Sequence, residues 1–189
     1  MANEVLQKAV ANSICFADHA GDFSPAAGTS LEQGTPSDVE MELASLADGA
    51  ARQSDKVDLG EDRAECYHVI AAFEFAVAPA SGEVVELYWA PSPDSTAANG
   101  NPGGVSGSDA AYTGTAGDSL ADSVHQLQYI GPFVCTADAT GTVQVATVGK
   151  LRPRDRYGTL IVKNEAGQAY HSDDVESHVV FQPQTPEIQ

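Results

Sequence analysis

Apolar side chains alternate with more polar ones through the middle of the chain, a period of two that is typical of strands with one buried face. Between residues 64 and 77 the odd-numbered positions form one apolar row: Tyr67, Val69, Ala71, Phe73, Phe75 and Val77. A turn rich in Pro, Ser and Gly follows at 79–82, and the alternation then resumes over 83–90. The pattern predicts two long strands joined as a hairpin.

Shorter β-rich runs surround this pair, and turn-forming residues separate them. Residues 38–43 alternate with their acidic positions outward, and further runs occupy 124–130, 133–136, 142–148, 157–163 and 178–181, with weaker candidates at 13–16 and 56–59. Helical character is confined to 3–11 and 43–52. About eight to ten short strands with little helix predict an all-β fold, an antiparallel β-sandwich or jelly roll with long loops.

Two stretches rich in small and polar residues depart from the strand pattern. Residues 91–119 form a long irregular loop, well above the usual length of a connection. Residues 18–37, rich in Gly, Ser, Pro and Thr, form a second extended segment within an N-terminal arm over 1–37. The domain prediction is therefore this arm followed by a single sandwich over 38–189. Two interpretations of the loop stay open: a mobile surface loop, or an arm that a neighbouring subunit orders.

Charge narrows the classes of function. The 189 residues include 27 acidic and 9 basic side chains, for a formal net charge of −18, while 42% of positions are hydrophobic. A chain this acidic is repelled by nucleic-acid phosphates and by anionic lipid, so we expect neither a nucleic-acid nor a membrane partner. The three cysteines, Cys15, Cys66 and Cys135, lie far apart, which favours folding in a reducing cytoplasm over a disulfide framework.

The few basic residues are concentrated in one place. Lys150, Arg152, Arg154 and Arg156 fall within a single short segment, whereas no basic residue lies between Arg63 and Lys150. This arrangement makes the molecule electrically two-sided and suits contact between copies or docking onto an acidic partner. The alternative is that these side chains pair with carboxylates of their own domain.

Catalytic and metal-binding patterns are not found. The histidines are scattered, and no nucleophile, phosphate-binding or metalloprotease motif has its required context, so we expect no enzyme activity, no cofactor and no metal. One group has ligand chemistry that suits a divalent ion, although it is equally typical of a solvated acidic turn: His171, Asp173, Asp174, Glu176 and His178.

Two aromatic residues offer a different hypothesis. Tyr88 and Trp89 end a predicted strand beside the long loop, where aromatic rings in binding modules stack on sugars. Loop residues Asn99, Asn101 and Tyr112 would complete such a glycan site. The alternative places Trp89, which lies on the inward row, in the core.

Four segments carry a resemblance to a known group of proteins. They are SLADGAARQSDKVDL (45–59), ELYWAPS (86–92), VGKLRP (148–153) and RYGTLIVKN (156–164). In the general character and the order of these segments, over most of residues 43–183, the chain resembles small virion proteins of tailed bacteriophages. The resemblance implies a structural component present in many copies, on the head or in the tail, with no active site.

These observations together predict a capsid decoration (cement) protein, made in the host cytoplasm and located in the virion. Its expected partners are the major capsid protein or other virion proteins, and we expect a homo-oligomer with the two arms and the basic segment as contacts. A tail or fibre component and a carbohydrate-binding module are the alternatives.

Overall fold

The computed structural model describes residues 12–61 and 63–184, and strands predominate within them. In chain order the elements are β1 (Ile14–Ala17), β2 (Ser37–Glu40), β3 (Ala51–Gln53), β4 (Val57–Asp58), β5 (Cys66–Phe73), β6 (Val84–Ser92), β7 (Ala110–Ala111), α1 (Leu120–Val124), β8 (Gln128–Val134), β9 (Gln144–Leu151), β10 (Tyr157–Glu165) and β11 (His178–Gln184). The predicted helix at 43–52 is wrong, because Ser45 and Gly49 adopt positive φ there and β3 begins at Ala51. The predicted helix at 3–11 lies outside the described residues.

The strands form two sheets that pack face to face. One sheet has the order β2-β1-β11-β5-β9, and the other has the order β7-β3-β10-β6-β8, with β4 pairing beside it on β10. β1 and β2 run parallel, whereas the other pairs between the named strands are antiparallel. The predicted all-β sandwich is confirmed, and its jelly-roll form stays a prediction.

The alternating rows form the core between the sheets. Tyr67, Val69 and Phe73 of β5 pack in one buried cluster with Leu87 and Trp89 of β6. Burying each of these large side chains contributes about 1.5–3 kcal/mol relative to leaving it exposed. The predicted row of β5 is therefore confirmed through Phe75, which is buried just after the strand ends, and is wrong at Val77, which is 53% exposed.

The predicted hairpin between the two long strands is wrong. β5 belongs to the five-stranded sheet and β6 to the six-stranded sheet, so residues 74–83 cross from one layer to the other. An apolar row is buried equally well by a facing sheet, and a connection of this length is not restricted to a tight hairpin turn. The predicted runs at 124–130 and 133–136 form one strand, β8, an edge strand where Pro132 needs no ladder donor. The prediction is wrong at 124–127, because Val124 ends α1, a helix that the strand pattern did not predict.

The long loop at 91–119 packs on its own domain. Val105 and Tyr112 of the loop are buried with Val124 and Leu127 against the outer face of the six-stranded sheet, where they cover Tyr88. β7 also pairs with β3. The interpretations of a free loop and of a loop ordered only by a neighbour are therefore wrong, because the loop closes a second small apolar cluster.

The predicted N-terminal arm is also part of the domain. β1 lies between β2 and β11 and is fully buried, so the sandwich begins before residue 38. Phe23 and Leu31 then pack against Cys15, Ala17 and Val180 on the outer face of the five-stranded sheet. We call residues 22–34 the strap. It covers part of this sheet face and is not an extended arm.

Candidate functional site

The predicted basic segment forms the end of β9 and the turn into β10. Lys150 lies within β9, Arg152 and Arg154 lie in the turn, and all three side chains are exposed. Among residues 12–61 and 63–184, none of these three side chains forms an ion pair. Three positive charges are therefore presented to solvent at one end of a strongly acidic molecule.

Arg156 differs from its three neighbours because it is held by its own domain. Its Nε and Nη2 each lie 2.7 Å from a carboxylate oxygen of Asp58, and Nη1 lies 3.2 Å from Glu61. The guanidinium also stands 5.3 Å from the ring centre of Tyr157. Hydrogen bonding from Arg156 lowers the pKa of Asp58. Its inclusion in the docking segment is therefore wrong, since a bidentate ion pair uses its donors.

A neutral to basic sheet surface adjoins the turn. Strand register places Gln182, His68 and Lys150 in one row across β11, β5 and β9, and Val180, Ile70 and Thr147 in the next row. Val145 follows on β9 and is 47% exposed. We call the part of this surface beyond the strap, together with the turn, the basic face: His68, Ile70, Val145, Thr147, Lys150, Arg152, Arg154 and Gln182.

The basic face lacks carboxylates on its strands. The sequences of β5, β9 and β11 contain no Asp or Glu, although the chain carries 27 of them. A polar depression of about 360 Å³ adjoins its edge, lined by amide, hydroxyl and other uncharged residues: Asn12, Ser13, Gln33, Gly34, Thr35, Gln182, Pro183 and Gln184. An acidic partner approaching the strands of this face meets Lys150 and neutral groups, and the adjoining turn presents Arg152 and Arg154 with one carboxylate, Asp155, so attraction outweighs repulsion.

The predicted glycan site is not assembled. Trp89 is 0% exposed and points into the core, whereas Tyr88 is 8% exposed on the opposite side of β6 beneath the long loop. The Tyr88 hydroxyl donates to a carboxylate oxygen of Glu86 at 2.8 Å. Neither ring offers an open face to a sugar, so this prediction is wrong for both residues.

The loop residues expected to complete the glycan site have structural contacts. Tyr112 is buried and donates its hydroxyl hydrogen to the Gly103 carbonyl at 2.7 Å. The Asn101 amide donates to the Ala97 carbonyl at 2.7 Å, and the Asn99 backbone carbonyl accepts from Lys56. These groups hold the loop together.

The acidic group near the last strand is divided among separate structural roles. Asp174 is buried and accepts from the backbone N–H groups of Leu43 (2.8 Å) and Ala44 (3.1 Å). Asp18 and Asp22, distant in sequence, place carboxylate oxygens within 4.8 Å of those of Asp174. Because Asp174 is already satisfied by two backbone amides, we assign it a structural role in tying the turn before β11 to residues 43–44.

Sequence patterns alone did not identify the basic face. His68 and Ile70 occupy even-numbered positions opposite the apolar row of β5, and nothing in their local sequence indicates that they adjoin Lys150. The usable signal was the absence of carboxylates from the segments that become β5, β9 and β11. Strand pairing then brings these segments together.

Comparison with known proteins adds no relative. The chain matches no family model, no curated protein and no solved structure. Across residues 12–61 and 63–184, no helix has the length and apolar character needed to cross a membrane.

Proposed function

We propose that this chain is a structural protein of a virus particle, a capsid decoration protein that docks through its basic face onto an acidic surface of the major capsid protein. The observation that carries the proposal is a set of three exposed cations, Lys150 on β9 and Arg152 and Arg154 in the turn after it, which have no ion pair within residues 12–61 and 63–184. They adjoin strands β5, β9 and β11, which contain no carboxylates, in a chain of net charge −18. The resemblance to small virion proteins of tailed bacteriophages supports the same assignment. No catalytic role is proposed.

Electrostatics explains why such a surface suits docking. The net negative charge keeps free copies apart and in solution before assembly. On approach to an acidic lattice, the basic face is the side that is attracted, so orientation is selected before contact. Ile70 and Val145 then supply apolar contact area within the same surface.

The test is attachment to purified particles. A variant carrying Lys150→Glu, Arg152→Glu and Arg154→Glu is expected to lose at least about tenfold in occupancy, because it reverses three charges at the contact. The matched control exchanges the same residues as Lys150→Arg, Arg152→Lys and Arg154→Lys and is expected to attach nearly as well as wild type. Circular dichroism establishes that both variants are folded.

Quantitative mass spectrometry of the particles measures occupancy, and labelling of intact particles with an antibody locates the chain on the head or in the tail. Absence of the chain from particles contradicts the virion assignment. Tail labelling favours the tail or fibre alternative. Equal occupancy of the charge-reversed variant rejects the basic face as the contact.

A further inference from the structure

One attachment of the strap to the sandwich runs through a buried histidine. His178, the first residue of β11, is 0% exposed. Its Nε2 lies 3.1 Å from the backbone nitrogen of Leu31 in the strap, and its Nδ1 lies 2.7 Å from the Glu176 carbonyl. The Phe23 ring of the strap packs against the imidazole with a centroid distance of 5.2 Å.

These contacts fix the protonation state of the ring. The Leu31 N–H is a donor, so Nε2 must be the unprotonated acceptor. Nδ1 must then carry the hydrogen that is donated to the backbone carbonyl of Glu176. Adding a proton to Nε2 would set two N–H groups against each other and leave a buried charge. The docked strap therefore requires neutral His178.

We propose that His178 is an acid-sensitive latch: its protonation releases the strap from the five-stranded sheet while the sandwich stays folded. Release uncovers Cys15, Ala17 and Val180, which lie on the same side of the sheet as the basic face. The latch thus enlarges the apolar part of that surface in acid. Strap release itself does not depend on the proposed virion function.

The groups around the ring determine the direction of the pH effect. Burial lowers the pKa of His178 and outweighs the opposing pull of the nearby carboxylates of Glu176 and Glu32, while His19 of the adjoining turn adds to the lowering. The docked state thus binds fewer protons than the released state, whose histidine titrates near its ordinary value of about 6.5. Docking is fully favourable above this pH and weakens as pH falls through and below it.

The carboxyl group of Glu40 has the opposite pH dependence and limits the region that moves. Glu40 accepts from the Ala20 N–H at 2.9 Å, just before the strap, and burial raises its pKa to about 7. Its folded form takes up a proton more readily than a free glutamate, so acid does not drive residues 18–21 apart. We therefore expect residues 18–21 to stay in place in acid.

The strap has further attachments to the sandwich. The Glu176 carboxylate accepts from the Ala26 N–H at 2.9 Å and from the Thr29 hydroxyl, and the Val175 carbonyl accepts from the Ser24 N–H at 3.1 Å. Of these attachments, the one at His178 is the one that protonation of the imidazole breaks.

The three cysteines form a natural set of reporters. Cys15 is buried beneath the strap, Cys135 is buried in the main core, and Cys66 is only partly buried. The purified full chain is treated with a dithiodipyridine, which modifies thiols in acid as well as at neutral pH, and modified peptides are quantified by mass spectrometry. The labelling of Cys15 and Cys135 is divided by that of Cys66, which corrects for the intrinsic effect of pH on thiol reactivity.

Between about pH 7.5 and about pH 5, we expect the normalised labelling of Cys15 to rise by about tenfold or more while Cys135 stays protected. His178→Gln, which stays neutral, is expected to keep Cys15 protected at both values. His171→Gln, a change in the same turn, is expected to behave as wild type. Protection of Cys15 at both pH values, joint labelling of Cys15 and Cys135, or acid labelling in a folded His178→Gln variant overturns the proposal.

A measurement on the unaltered protein keeps the test decisive should His178→Gln fail to fold. Long-range nitrogen–proton NMR spectra report which ring nitrogen carries the hydrogen. We expect the Nδ1–H form of His178 near pH 7.5 and a transition to the doubly protonated ring that coincides with exposure of Cys15. A ring that protonates without any change at Cys15 rejects the latch.

Discussion

At the residue scale, Lys56 is the clearest case of a charged side chain with an internal role. Its ammonium group lies near four oxygens: the Ser92 hydroxyl at 2.9 Å and the carbonyls of Asp94 (3.1 Å), Thr96 (2.7 Å) and Asn99 (2.7 Å). Burial lowers the pKa of Lys56. The lysine thus gathers the first part of the long loop around one positive charge.

Lys56→Met is expected to destabilise the protein by about 1–3 kcal/mol, because it removes the charge-assisted hydrogen bonds that draw three loop carbonyls together. Hydrogen exchange is expected to accelerate within residues 94–99. Chemical denaturation measures the first effect and exchange mass spectrometry the second. Lys150→Met, at an exposed and unpaired lysine, is the control; an equal loss in both variants contradicts this role for Lys56.

Single residues also show the limit of sequence reasoning. Lys150 and Arg156 belong to the same basic cluster, yet one is free and the other is bound to Asp58, which is far away in the chain. No local pattern distinguishes them, because the distinction depends on the pairing of β4 with β10. Trp89 was better determined, since its inward parity already favoured a core position.

At the element scale, β8 and β9 close one side of the sandwich by direct backbone approach. A Cβ on Gly131 would lie 2.4 Å from the Val148 carbonyl oxygen, and a Cβ on Gly149 would lie 2.6 Å from that of Ile130. Gln144 adds a reciprocal pair of hydrogen bonds to the Thr136 backbone, at 2.8 and 2.9 Å. The two glycines are thus required by the contact between strands.

Gly131→Ala is expected to destabilise the fold by about 1–3 kcal/mol, because the added methyl group meets backbone and the strands must separate. Thermal unfolding followed by circular dichroism measures the change. Gly28→Ala is the matched control, since nothing lies within 4 Å of its added Cβ. A Gly131→Ala protein that unfolds at the wild-type temperature would show that this edge is not closely packed.

At the same scale, the composition of the long loop led to a wrong prediction. The Gly-, Ala- and Ser-rich residues 91–119 have the composition of a free loop, yet small residues also permit close packing of backbone. A Cβ on Gly107 would lie 2.1 Å from the Ala97 carbonyl oxygen, and Gly107 has a φ of 74°. The same composition therefore serves an ordered loop, and only the contacts distinguish the two cases.

At the scale of the whole molecule, net charge affects both folding and docking. Self-repulsion in a domain with a net charge of −18 opposes the compact state, and dissolved salt screens it. The basic face is the exception, a part of the surface where cations outnumber carboxylates. Salt therefore has opposite effects on folding and on docking to an acidic lattice.

Raising NaCl from about 10 mM to about 500 mM is expected to raise Tm by a few degrees, because the Debye length falls from about 30 Å to a few ångströms. Differential scanning calorimetry measures the shift. The effect is expected to shrink as pH is lowered toward the isoelectric point, where net repulsion vanishes. A Tm that falls with salt at neutral pH would show that attractive ion pairs outweigh repulsion.

Sequence by itself determined the fold class, the two long strands, the faces that they bury and the position of the basic turn. Each depends on local periodicity or composition, which the order of residues records directly. Tertiary structure alone decided that β5 and β6 face each other from different sheets, that the strap and the long loop fold back, and that His178 meets Leu31. These are contacts between distant segments, and their free energies depend on which surfaces packing brings together.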